Sequence, residues 1–189
     1  MEKWAGVDLA ASPAKPSAVA VGEGWEDLTV FTVFSDEALL KAIEAVKAVW
    51  IDAPLTAAEG PFRSCDKRLH GYGLTPLPLS WPAMRALHQR ARRLLDRGRG
   101  QAFHETFPWA LYAWLGEKAG FRPRRKDLAL LAAWAEKQGL QARPTSVHEW
   151  DAVACWAIGW LAHQGWALVL SAEDGTLWLP PLTSKGNTA

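Results

Sequence analysis

Cysteine is nearly missing from this sequence. Cys65 and Cys155 are the only two in 189 residues, too few for a disulfide framework and too far apart for a CxxC metal or redox pattern. Charge of one sign is missing as well: 21 Lys and Arg against 20 Asp and Glu leave a net +1. No overall field therefore draws the chain to nucleic acid or to a membrane, and any such attraction must come from local charge. No apolar run approaches the roughly 18–20 residues of a membrane span, and no signal-peptide pattern opens the chain. These absences predict a cytoplasmic protein with no membrane partner. What is present is the profile of a folded globular chain, 49% hydrophobic and 22% charged, long enough to bury a full core. The 12 tryptophans fall mostly in apolar runs, and Trp134, Trp156 and Trp160, at helical spacing, read as core.

Taken in order, the patterning predicts strands over 3–10, 17–21 and 26–34 joined by short turns, an antiparallel meander. Ser35 reads as the N-cap of a helix running to Lys47, with Asp36 and Glu37 in its first turn. The apolar run Val49–Asp52 then reads as a buried strand parallel to the first, because a helix crosses between them. Residues 54–100 form a Pro/Arg-rich insertion, broken by Pro54, Pro61, Pro76, Pro78 and Pro82, with a helix over Met84–Leu95. A fifth strand is expected over Gln101–Thr106 beside the first, a short amphipathic helix over Trp109–Gly116, and a helix over Asp127–Gln138 ending at Gly139. Ser146 caps a last long helix, and 167–170 and 176–179 flank Asp174-Gly175 as a C-terminal hairpin. This is the ribonuclease H order: an α/β fold with a mixed five-stranded sheet, a β1–β3 meander plus parallel strands, flanked by helices. It is expected as a single domain over 1–182 with the insertion at about 54–100, followed by a flexible tail over 183–189.

Carboxylates recur at the ends of these elements. Asp8 follows Trp4–Val7, Asp52 follows Ala48–Ile51, Glu105 closes the fifth strand, and Asp151 opens the last helix. Ionising a carboxylate at the end of a buried strand costs several kcal/mol unless cations or donors compensate. Hard oxygen ligands at several strand ends are what Mg²⁺ or Mn²⁺ requires. Each has an ordinary reading too. Asp8 and Asp52 can cap turns, Asp151 suits a helix N-terminus, and Glu105 can ligate, orient a ligand, or be a satisfied polar residue before Pro108. His148, at the start of the same helix, can shuttle protons or ligate metal, or be an ordinary helix-start residue.

Five motifs occur in order: Gly6-Val7-Asp8-Leu9-Ala10, Ile51-Asp52-Ala53-Pro54-Leu55, Arg63 to Leu69, Glu105-Thr106-Phe107-Pro108, and His148 to Ala152. Together they resemble the DUF429 family of predicted nucleases with the ribonuclease H-like fold. The resemblance implies a two-metal phosphodiesterase site holding two Mg²⁺ or Mn²⁺ ions. Asp8, Asp52 and Asp151 take the three acidic positions typical of Holliday-junction-resolvase relatives. Those relatives often carry Glu where this chain has Asp52, a shorter arm. The function implied is metal-dependent hydrolysis of phosphodiesters in nucleic acid, with Glu105 assisting and a homodimer possible, as resolvase-like enzymes commonly act as dimers.

The basic residues allow two readings. Arg63, Asp66 and Arg68, in a loop after the Asp52 strand, can bind phosphate with Asp66 holding the arginines, or can form a self-contained cluster that orders the loop. Arg90, Arg92, Arg93, Arg97 and Arg99, with Arg122, Arg124, Arg125 and Lys126, are the only dense positive charge. They can track a phosphate backbone or form a solvated face, and Lys126 can also touch a substrate phosphate. Two further functions stay open: a nucleotide- or phosphate-binding or phosphotransfer protein of the same fold, and a non-catalytic binding module with a vestigial acidic site.

Overall fold

A computed structural model describes residues 2–98, 100–121, 123 and 126–185. Seven strands form one sheet: β1 (Trp4–Asp8), β2 (Ser17–Gly22), β3 (Thr29–Val33), β4 (Ala48–Ile51), β5 (Ala102–Thr106), β6 (Leu168–Ala172) and β7 (Gly175–Leu179). Their spatial order is β3-β2-β1-β4-β5-β7-β6. The meander β1–β3 is antiparallel, β1, β4, β5 and β7 run parallel, and β6 closes the far edge antiparallel to β7. Six α-helices accompany them: α1 (Asp36–Ala42), α2 (Ser64–Arg68), α3 (Pro82–Arg97), α4 (Trp109–Lys118), α5 (Leu128–Lys137) and α6 (Val147–His163).

Four expectations are corrected here. The sheet has seven strands instead of five, because the C-terminal hairpin adds β7 to the open edge of β5, pairing Glu105 with Leu177 and Thr106 with Trp178. This covers backbone groups that a bare edge would expose. The fifth strand lies beside β4, not beside β1. The segment carrying Asp66 and Arg68 is the short helix α2, and Asp66 caps it by accepting from the Arg63 N–H at 2.9 Å. Helix α4 is not amphipathic: Ala110 to Gly116 are all buried.

The hairpin turn also differs. Glu173 and Asp174 make it, and Gly175 lies inside β7 opposite Ala172. Asp174 is held there by the Thr56 hydroxyl, donating to its carbonyl at 2.5 Å, and by the Ser64 N–H, donating to its carboxylate at 2.6 Å. Gly175 serves close approach: a Cβ there would meet Thr56 Oγ1 at 2.8 Å and Cys65 Sγ at 3.0 Å.

Strand alternation divides the core. Ala5, Val7, Val49 and Ile51 face Leu39, Ile43, Ala91 and Leu94 of the α1–α3 side. Trp4 and Trp50 face the other side, where Ala152, Cys155 and Trp156 of α6 pack. Trp156 stacks on Trp4 with ring centroids 5.5 Å apart and meets Trp25 edge-on at 4.8 Å, an arrangement worth about 0.5–1.5 kcal/mol per pair beyond area burial. The caps Ser35, Asp127 and Ser146 accept from the N–H groups of Ala38, Leu130 and Glu149, satisfying donors that helix starts leave open. Among the described residues, no helix is long and apolar enough to cross a membrane. Of the expected tail, the Lys185 N–H donates to Gly71 O at 2.9 Å, and 186–189 lie outside the described residues.

Candidate functional site

The same alternation that buries Ala5 and Val7 on one face sends Trp4, Gly6 and Asp8 to the other, toward α6. Trp50 and Asp52 follow the same parity on the neighbouring strand, and the Asp52 N–H extends the ladder by donating to Val7 O at 2.9 Å. On α6, His148 and Asp151 are three residues apart and so share one side of the helix. The structure brings Asp8, Asp52 and Asp151 close enough to act on one another's charge, with the His148 ring and the Lys126 ammonium beside them.

Each carboxylate has a different environment. The Asp8 carboxylate holds the His148 ring, Oδ2 to Nδ1, at 2.7 Å. Its acid is pushed above the ordinary value first by burial, then by the Asp151 charge, with His148 pulling the other way. Asp151 is buried; it accepts from the Tyr112 hydroxyl at 3.1 Å and forms an ion pair with Lys126. Burial raises the Tyr112 phenol, and the Asp151 charge adds to this, so the hydroxyl stays a donor. Burial alone would lower Lys126, but Asp151, Asp52 and Asp8 outweigh it and hold the ammonium charged. Asp52 has no hydrogen-bond or ion-pair partner for its side chain among the described residues. Its acid is pushed well above the ordinary value, first by burial and then by the charges of Asp8 and Asp151.

Glu105 is committed elsewhere. It stands in register with Ile51, on the strand beside Asp52, whose acid its charge helps to raise, but its own oxygens are taken by Arg63. Both bind the guanidinium, Nη1 to Oε2 at 2.7 Å, and Oε2 also accepts from the Leu55 N–H at 2.9 Å. Asp66 takes Arg63 Nε at 3.0 Å and Nη2 at 2.8 Å, and the Thr56 hydroxyl takes Nη1 at 2.9 Å. All five guanidinium N–H donors are thereby used inside the protein, which favours the self-contained cluster over a phosphate grip.

Arg90 is likewise consumed. It is 1% exposed and binds Asp36 Oδ1 at 2.8 Å, Ala10 O at 2.6 Å, and Ser12 O and Ser17 Oγ at 3.2 Å. It pins the turn after β1 from beneath and is no part of a surface track. Arg68 is exposed, with Nη1 donating to Ser171 O at 2.6 Å. Arg97 pairs with Glu37 at 3.1 Å and Arg92 with Asp96 at 3.5 Å on the surface, while Arg99, Arg122, Arg124 and Arg125 lie outside the described residues. Tyr112 and Thr56 are the contacts that sequence reasoning missed. No local pattern marks either one, since each earns its role from a partner 39 or 7 residues away.

The donor types suit a hard divalent cation in chemistry: three carboxylates, one of them, the partly buried Asp52, beside like charges without a donor. As arranged here, no group of three or more His, Cys, Asp or Glu among the described residues is placed to hold a metal ion; Asp8 and Asp151 hold His148 and Lys126. A bound ion would compete with Lys126 for Asp151.

No family model matches the chain, and no curated protein matches it in sequence. In fold it is similar to RuvC of Thermus thermophilus, with 15% identity and a TM-score of 0.51, over 86% of this chain and 96% of that one. At that identity the likeness speaks for the fold alone: the chain has an α/β fold, with a mixed seven-stranded sheet, similar to that of RuvC.

Proposed function

We infer that this protein is a divalent-metal-dependent nuclease that hydrolyses phosphodiester bonds in nucleic acid. The observation that carries the reading is Asp52, a carboxylate with no donor, set beside Asp8 and Asp151 at the ends of the central parallel strands. A carboxylate held among like charges with no donor is costly unless a cation joins it. The RuvC-like fold and the resemblance of five sequence motifs to the DUF429 family of predicted nucleases support the same reading.

Asp8, Asp52 and Asp151 would hold Mg²⁺ or Mn²⁺, two ions in the two-metal form. The bound metal supplies polarisation of the phosphoryl oxygen and a water acidic enough to attack near neutral pH. The chain's own residues do the remainder. Asp8 fixes the His148 ring through Nδ1, and the ring is 66% exposed on its side-chain surface, so Nε2 can give or take a proton at the departing oxygen. Lys126, when released from Asp151, offers an ammonium to a phosphoryl oxygen. Tyr112 keeps one Asp151 oxygen oriented, as partners behind a ligand commonly do.

The test is Mn²⁺ and Mg²⁺ titration by calorimetry on the native chain and on Asp8→Asn, with cleavage assays on DNA and RNA oligonucleotides. Binding that the variant loses, together with metal-dependent cleavage, is the expected result. No binding up to millimolar metal overturns it. The pairs Lys126–Asp151 and His148–Asp8 would then be the finished state of a non-catalytic acidic site.

A further inference from the structure

Asp52 and Lys126 face two ways. Besides standing with Asp8 and Asp151, both line a cavity of about 270 Å³ between the insertion and the start of α4. Its walls are apolar: Leu77, Leu79, Met84 and Leu87 from the insertion, Phe107 and Trp109 from the β5–α4 junction. Leu77 is exposed at 52% and marks the mouth. The polar end is the Arg63–Asp66–Glu105 cluster.

Three features select the occupant. The volume falls just below the roughly 300–1,000 Å³ of pockets for drug-sized ligands, which suits one planar ring system and not a base pair. The Arg63 guanidinium at the polar end has no N–H to spare, so a phosphate reaching that end would find the Asp66 and Glu105 carboxylates and no guanidinium donor, while the Lys126 ammonium stands nearer Asp52 and Asp151. The cavity must therefore take a neutral group whose attached phosphate stays outside, and the shared residues Asp52 and Lys126 sit where that phosphate would be.

We propose that this cavity receives one unstacked nucleobase next to the scissile phosphate. The inference rests on the nuclease reading for its choice of ligand and deepens it: the substrate is a single strand, or a strand with a base turned out of its stack. The unstacking cost is met by the apolar walls and by aromatic contact with Phe107 and Trp109, as in other proteins that bind extruded or single-stranded bases.

The sequence has two methionines, Met1 and Met84, and Met84 lines the cavity. Carbon-13 methyl labelling of methionine therefore gives a reporter inside the cavity. Adenosine and uridine, which carry no phosphate, are titrated in metal-free buffer, with ribose as the comparison. A saturable shift of the Met84 methyl with a nucleoside and not with ribose is expected. Leu77→Asp, a change at the exposed mouth, should weaken it about tenfold, since an apolar wall contact is replaced by a hydrated carboxylate. A Met84 signal unmoved by millimolar nucleoside, moved equally by ribose, or moved equally in Leu77→Asp overturns the proposal. Because no metal is present, the outcome is separate from that of the nuclease reading: metal binding with cleavage but no nucleoside shift sinks the cavity alone, and a nucleoside shift without metal binding sinks the nuclease alone.

Discussion

A Cβ placed on Gly6 would stand 2.2 Å from the carbonyl oxygen of Ala152. Gly6 lies two residues before Asp8, and Ala152 one residue after Asp151, so the close approach of β1 and α6 sets the spacing between two of the three site carboxylates. The neighbour is helix backbone, which cannot step aside. Gly6→Ala should cost about 1–3 kcal/mol or more by overpacking, read as a lowered urea midpoint with an unchanged slope. It should also weaken Mn²⁺ binding, because it moves Asp151 relative to Asp8.

The Arg63 cluster predicts a large stability effect with no catalytic role needed. Removing one member of a buried ion pair leaves a buried charge uncompensated and costs about 3–5 kcal/mol. Arg63→Met should therefore destabilise strongly. Arg63→Met combined with Glu105→Gln and Asp66→Asn should recover part of the loss, a non-additivity that chemical denaturation of the single and combined variants will measure.

Asp52 predicts stability traded for function. Its acid is raised in the folded state, so between its unfolded value near 3.8 and the raised one the native chain binds more protons than the unfolded chain. Stability from this group therefore falls as pH rises through that window, and Asp8, also raised, acts in the same sense. Asp52→Asn removes the penalty. The variant should be more stable than the native chain at neutral pH by the order of 1 kcal/mol, about 2–4 °C in Tm, and the advantage should shrink toward pH 4. Added Mn²⁺ should raise the Tm of the native chain and leave that of the variant unmoved.

Lys126 predicts competition. Its ammonium occupies Asp151, where the inferred ion would bind. Lys126→Met should bind Mn²⁺ several-fold more tightly by calorimetry while cleaving more slowly, since the substrate phosphate loses its cation. Equal metal affinity in both proteins would separate Lys126 from the metal position.

The sequence by itself determined what is local. Short apolar runs bounded by turn residues place β1, β2 and β4, which are buried on both faces, and alternation places β3. Ser35, Asp127 and Ser146 mark helix starts, because the orphan N–H groups they satisfy lie within three residues. Asp8 and Asp52 are visible as carboxylates closing apolar runs. Tertiary structure decided what depends on distant partners. Nothing in 175–179 says that β7 will lie against β5, and the fifth strand's neighbour follows from sheet order alone. Arg63, Arg90 and Lys126 look alike in sequence as free basic residues. Their fates are set by Glu105, by Ala10 and by Asp151, which lie 42, 80 and 25 residues away. A guanidinium or ammonium is available to a ligand only if folding has not already filled its donors, and that follows from packing, which no short stretch of sequence encodes.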